Sequence, residues 1–185
     1  RERERARLSN TSRHPIVIMA KSDSFFIRAK LSTAAAFGQT SIDLGAYVDA
    51  LGKSVLRIHR VSVQYVYGNF SNPNIAVAGV DGRAIWQLTT QSQAALVDCT
   101  DKSVISSGQV HASSEVLANS FSTITETTDI NPEDWRNGYL VGVEQIYLGG
   151  EASGWDNDPT ICVMLECTVE TLSSSAAMAL ALSQQ

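Results

Sequence analysis

The chain has 185 residues, a formal net charge of −5, 44% hydrophobic residues and 18% charged ones. That size and apolar content describe a folded domain with a real core and exclude a disordered chain, and no apolar run is long enough for a membrane span. The charge is unevenly placed: residues 1–31 hold eight Lys and Arg against three Asp and Glu, and the remainder holds six against sixteen.

The basic head comes first, with Arg1, Arg3, Arg5, Arg7 and Arg13 set among Glu2 and Glu4. A head of one sign on a body of the other implies that the two face different partners, such as a polyanion on one side and sister subunits on the other. A zwitterionic, disordered tail is the alternative. The apolar stretch Ile16–Ala20 is too short for a signal-peptide core, and Met19-Ala20-Lys21-Ser22 reads as an ordinary translation start.

Ser24 to Leu31 alternates, with Phe25, Ile27, Ala29 and Leu31 on one side, which predicts a half-buried strand. Ser41 to Leu44 suggests a short strand, and Gly45 to Leu51 one or two helical turns ending at Gly52. Val55 to Tyr67 is the strongest strand. Its apolar phase flips at His59-Arg60, from Leu56 and Ile58 to Val61, Val63, Tyr65 and Tyr67, as one extra residue in a β-bulge would cause. Such a bent strand can serve both sheets of a sandwich.

Ile75 to Val80 and Arg83 to Thr90 read as a hairpin around Asp81-Gly82. Shorter strands are expected at Ala94–Val97, Val104–Val110 and Phe121–Thr125. Asn131-Pro132-Glu133-Asp134-Trp135 predicts one helical turn capped by Asn131. Tyr139 to Leu148 reads as one strand changing phase near Glu144-Gln145, Gly149 to Pro159 as an eleven-residue loop, and Thr160 to Glu170 as a cleanly alternating strand. Thr171 then caps an uncharged helix from Leu172 through Leu182, whose large apolar residues are Leu172, Met178, Leu180 and Leu182. A helix apolar on most faces needs cover, from its own domain or from a neighbour.

About eight strands with close-set turns predict an all-β fold, a single antiparallel sandwich of residues 23–170 with short helical insertions. Residues 1–22 form a basic arm before it and residues 171–185 an apolar helix or arm after it.

Motifs for catalysis are missing. There is no Gly-x-Ser-x-Gly elbow, no His-Glu-x-x-His, and no metal spacing among His14, His59 and His111. Cys162 and Cys167 fall on opposite sides of one strand and do not pair with each other; three free, buried thiols are expected, against the alternative that Cys99 pairs with either. Asp156 and Asp158, with Glu151, offer oxygen ligands for Ca²⁺, against the plainer reading of a solvated acidic turn. Trp155 in that loop is either a binding anchor or folded back on its own sandwich. No cofactor is expected.

The basic arm, the first strand at Ser24–Leu31, the long strand at Val55–Tyr67 and the final strand at Thr160–Glu170 together resemble the single jelly-roll capsid proteins of icosahedral viruses. The resemblance covers nearly the whole chain and rests on layout and charge. It implies a structural protein of the virion without catalysis, self-assembling into a shell. It implies that Arg1, Arg3, Arg5, Arg7 and Arg13 contact viral DNA or RNA through phosphates. It implies that Leu172, Met178, Leu180 and Leu182 are buried between subunits. Glu2 and Glu4 depart from a purely basic arm. The rival readings are a secreted or surface β-sandwich that binds a ligand or forms filaments, and an enzyme on the same fold.

Overall fold

The computed structural model describes residues 21–49, 52–70, 75, 79–113 and 123–185. Among them lie nine strands: β1 (Phe25–Ser32), β2 (Gly38–Asp43), β3 (Ser54–Val66), β4 (Gly82–Thr89), β5 (Val104–Ser113), β6 (Thr123–Ile130), β7 (Tyr139–Val141), β8 (Gln145–Ser153) and β9 (Thr160–Thr171). A 3-10 turn at Pro132–Asp134 precedes β7, and helix α1 (Ser174–Ser183) follows β9.

Two antiparallel sheets stack face to face, one in the order β1-β9-β3-β7 and the other β2-β8-β4-β5-β6. The order follows from nested pairing: β1 with β9, β2 with β8, β3 with β7, and β4 with β5. Rolling that nested ribbon brings β9 beside β3 and β8 beside β4. The result is a jelly roll, with β6 added on the free side of β5.

The alternation read from the sequence sets which side chains meet between the sheets. Leu31, Leu165, Ile161 and Cys167 face inward from β1 and β9, against Trp86, Leu88, Ile146 and Leu148 from the other sheet. Trp86 is fully buried and donates its Nε1–H to the Tyr65 hydroxyl at 3.0 Å. A second, smaller cluster gathers Tyr67, Ala84, Val110, Ala112, Ala152 and Trp155. The phase flip in β3 is a bulge, where the register against β9 shifts between Ile58 and Arg60. Asn131 sits beside it. Its amide accepts from Val61 N–H and donates to the Val61 carbonyl, both at 3.2 Å, and it also accepts from Glu133 N–H. The Asn131 cap thus holds both the 3-10 turn and the bulged strand.

Several expectations fail for identifiable reasons. The phase change near Glu144-Gln145 is a crossover between sheets, since β7 pairs with β3 and β8 with β2 and β4. The bent β3 stays within one sheet. Of the one or two helical turns expected over Gly45–Leu51, a single hydrogen-bonded turn forms, closed by Tyr47 and Val48 N–H to the Leu44 carbonyl, while residues 50 and 51 lie outside the described residues. Asp81-Gly82 joins no hairpin among the described residues, because β5 and β8 occupy both sides of β4 and Ile75 bridges to Trp155. Ala94–Val97 is irregular; buried Gln87 donates to the Ala95 carbonyl and accepts from Val97 N–H, pinning it across β4. β8 runs on through Gly149 and Gly150 to Ser153, shortening the expected loop. A Cβ at Gly149 would lie 2.6 Å from the Phe37 ring, so a side chain there must displace that ring. The N-cap of α1 is Ser173, whose hydroxyl accepts from Ala176 N–H, rather than Thr171.

Candidate assembly and nucleic-acid surfaces

Helix α1 carries no charge and packs by its small residues. Ala177 and Ala181 are buried, while Met178 is 51% exposed and Leu182 65% exposed. The helix lies so close to the body that a Cβ on Gly142 would stand 2.9 Å from Leu180 Cγ. Buried Gln184 fastens its end: Oε1 accepts from Gly142 N–H at 2.8 Å and Nε2 donates to the Leu140 carbonyl at 2.7 Å. The Gln184 carbonyl in turn accepts from the Thr90 hydroxyl at 3.1 Å. Of the four residues singled out for assembly, Leu172 and Leu180 are half-buried against the body, whereas Met178 and Leu182 project one helical turn apart into solvent. Gln184 carries no hydropathy signal, and its anchoring role was not legible in sequence.

The arginines singled out in the head, Arg1, Arg3, Arg5, Arg7 and Arg13, lie outside the described residues, as does His14. The root of that segment is defined. Ser22 N–H donates to the Val169 carbonyl, Val169 N–H donates to the Ser22 hydroxyl, and Lys21 bridges to Glu170. Glu170 lies at the centre of a charged latch. Arg57 holds both its carboxylate oxygens at 2.7 Å, and Lys21 Nζ stands 3.7 Å away. Arg57 also donates to the Asn137 carbonyl at 2.6 Å. The Arg57 hydrogen bonds hold the Glu170 carboxyl below its usual range, with burial opposing them. The head is thereby rooted at one end of the four-stranded sheet, where β9 turns into α1.

The remaining singled-out residues are dispersed. His59 sits at the bulge with Nε2 at 2.9 Å from the Thr168 hydroxyl, and burial lowers its pKa. His111 is exposed beside Gln109. Asp156 and Asp158 are exposed, and the described residues contain no cluster of three metal-ligating side chains. Trp155 is folded back, its ring tilted 53° against Tyr67 at 4.9 Å and its Nε1–H donating to the Arg83 carbonyl at 2.9 Å. The three cysteines are free, but only Cys167 is buried, its thiol pushed up to about 12 by burial. Cys99 lies exposed in a turn and Cys162 on the outer side of β9, so the expectation of three buried thiols holds for one. No helix among the described residues is long and apolar enough to cross a membrane.

The sequence matches no protein-family model and no curated protein. Among solved structures it is similar to a chain of desmodium yellow mottle tymovirus, at 9% identity and a TM-score of 0.36, over 92% of this chain and 96% of that one. At that identity and TM-score the likeness assigns neither family nor role.

Proposed function

We propose that the chain is a structural coat protein, whose jelly-roll body self-assembles into an icosahedral virion shell. The basic arm faces DNA or RNA, and there is no catalytic role. The observation that carries this reading is the outer face of α1. An uncharged helix, firmly anchored to the body, presents Met178 and Leu182 to solvent where a lone domain would place charge. Covering that face with another subunit returns roughly 25 cal/mol for each Å² removed from water. The root of the arm at Lys21 and Ser22, paired with β9 just before α1, supports it further, since it starts the basic segment from the end of the sheet that leads into the apolar helix.

Electron microscopy of the purified chain tests the reading. Closed shells are the expected outcome, with dispersed subunits from the M178Q/L182Q variant. Open filaments would instead favour the rival, a surface sandwich joined head to tail by a contact that does not close. Dispersed wild-type subunits would remove the coat reading.

A further inference from the structure

The two outer faces of the sandwich carry opposite charge. On the four-stranded sheet, Arg28, Lys30, Arg57 and Arg60 point away from the core, against Glu166 and Glu170, a net of +2. On the five-stranded sheet, Arg83 stands against Asp43, Asp129 and Glu151, a net of −2. In a chain that is acidic overall, the positive side is therefore the exceptional one.

Two of its cations have no carboxylate partner among the described residues. Arg57 is held by Glu170, and Arg60 by Glu133 at 2.9 Å. Arg28 and Lys30 are exposed and form no ion pair among the described residues. They line a groove of about 590 Å³ that no carboxylate enters. The register arranges the groove in two parallel rows. Arg28 lies opposite Met164 and Met164 opposite Ser62; Lys30 lies opposite Cys162 and Cys162 opposite Gln64. Each row thus offers a cation at one side, a sulfur-bearing floor and a hydrogen-bonding group at the other. The rows are two residues apart along the strands, about 6.6 Å, a step comparable with that between neighbouring phosphates of an extended strand. Beside the first row, Phe26 stands opposite Glu166 and is 49% exposed; the Arg28 guanidinium lies over its ring at 5.8 Å from the centre, and the exposed remainder of the ring is what a base could stack on.

We infer that this groove binds the backbone of single-stranded nucleic acid, with Arg28 and Lys30 on consecutive phosphates and Phe26 stacking a base. The proposal rests on the coat reading and adds to it. The body itself contacts genome, and the four-stranded sheet, from which the basic arm is rooted, is the inward wall of the shell. A small anionic metabolite fits less well, because the cations are spread along an open groove instead of converging on a point.

The test uses the full chain and a short fluorescent thymidine oligonucleotide, with affinity read by anisotropy across a salt series. Each phosphate contact contributes about 0.7 to the log–log salt slope for single strands, so R28Q/K30Q is expected to lower the slope by about 1.4. Phe26→Leu is expected to weaken binding with the slope unchanged, since stacking releases no counterion. Acetylation followed by mass spectrometry gives a second readout: bound oligonucleotide is expected to protect Lys30 and leave Lys102 reactive. Melting curves of each variant confirm that it folds. Binding with an unchanged slope in R28Q/K30Q and an unprotected Lys30 would overturn the groove while leaving the arm as the nucleic-acid contact. No binding by the wild-type chain would overturn both contacts, and microscopy of the same sample would still report whether shells form.

Discussion

Gln184 offers a sharp test of how α1 is held. The Gln184→Ala variant removes a 2.8 Å bond to Gly142 N–H and a 2.7 Å bond to the Leu140 carbonyl, both in a buried setting where Gln184 is 5% exposed. Each bond is worth about 1 kcal/mol net, and stranding the buried Gly142 donor costs about 1–3 kcal/mol if water does not reach it. The total is about 3–5 kcal/mol. For a domain of this size 1 kcal/mol moves Tm by about 2–4 °C, so the expected loss is about 6–20 °C. The bond from Thr90 to the Gln184 carbonyl survives the substitution and limits the damage. Hydrogen exchange is the discriminating assay. Amides of α1 are expected to exchange faster than those of β3 and β9, because the helix loosens before the sandwich opens. The Gln184→Glu variant is expected to lose more than Ala, since a carboxylate still accepts from Gly142 but repels the Leu140 carbonyl. A Tm drop below about 2 °C, together with unchanged exchange in α1, would refute the anchoring role.

The latch at Glu170 predicts a pH dependence. Its folded pKa lies below the unfolded value, so its stabilisation is full above the ordinary carboxylate range and is lost as pH falls through the folded pKa. The stability difference between wild type and Glu170→Gln, from urea unfolding, is expected to be largest at neutral pH and to vanish in acid; a constant difference would contradict the latch. Asn131→Ala removes the cap and both bonds to Val61, an expected cost of about 2–3 kcal/mol in the same assay. Asn131→Asp keeps the acceptor and is expected to cost less. The M178Q/L182Q variant alters exposed positions only and is expected to change subunit stability by no more than about 0.5 kcal/mol while preventing assembly. A large stability loss would mean that these side chains serve the subunit's own core.

Much of the sandwich was readable because alternation is a local signal. In β1, β3 and β9 the predicted inward residues face the core, and the bulge at His59 showed itself as a shift of parity. The break between β7 and β8 was visible as a second parity shift, but parity alone does not separate a bulge from a change of sheet. That distinction depends on which strands are free to pair, a non-local property. The irregular 94–97 segment looked like a strand because it is a short apolar run, but its backbone is held by Gln87, a buried polar side chain with no periodic signature. For the surfaces, the Arg-rich head was plain from composition. The charge difference between the two outer faces was not, since it needs the register that brings Arg28 and Lys30 beside Ser62 and Gln64.

The most direct test of the coat reading is the mass of the purified chain by light scattering, with the 260/280 nm absorbance ratio taken on the same peak. Particles of very high mass with a raised ratio are the expected result: an assembled shell carrying nucleic acid. A monomer or small oligomer without nucleic acid would contradict it.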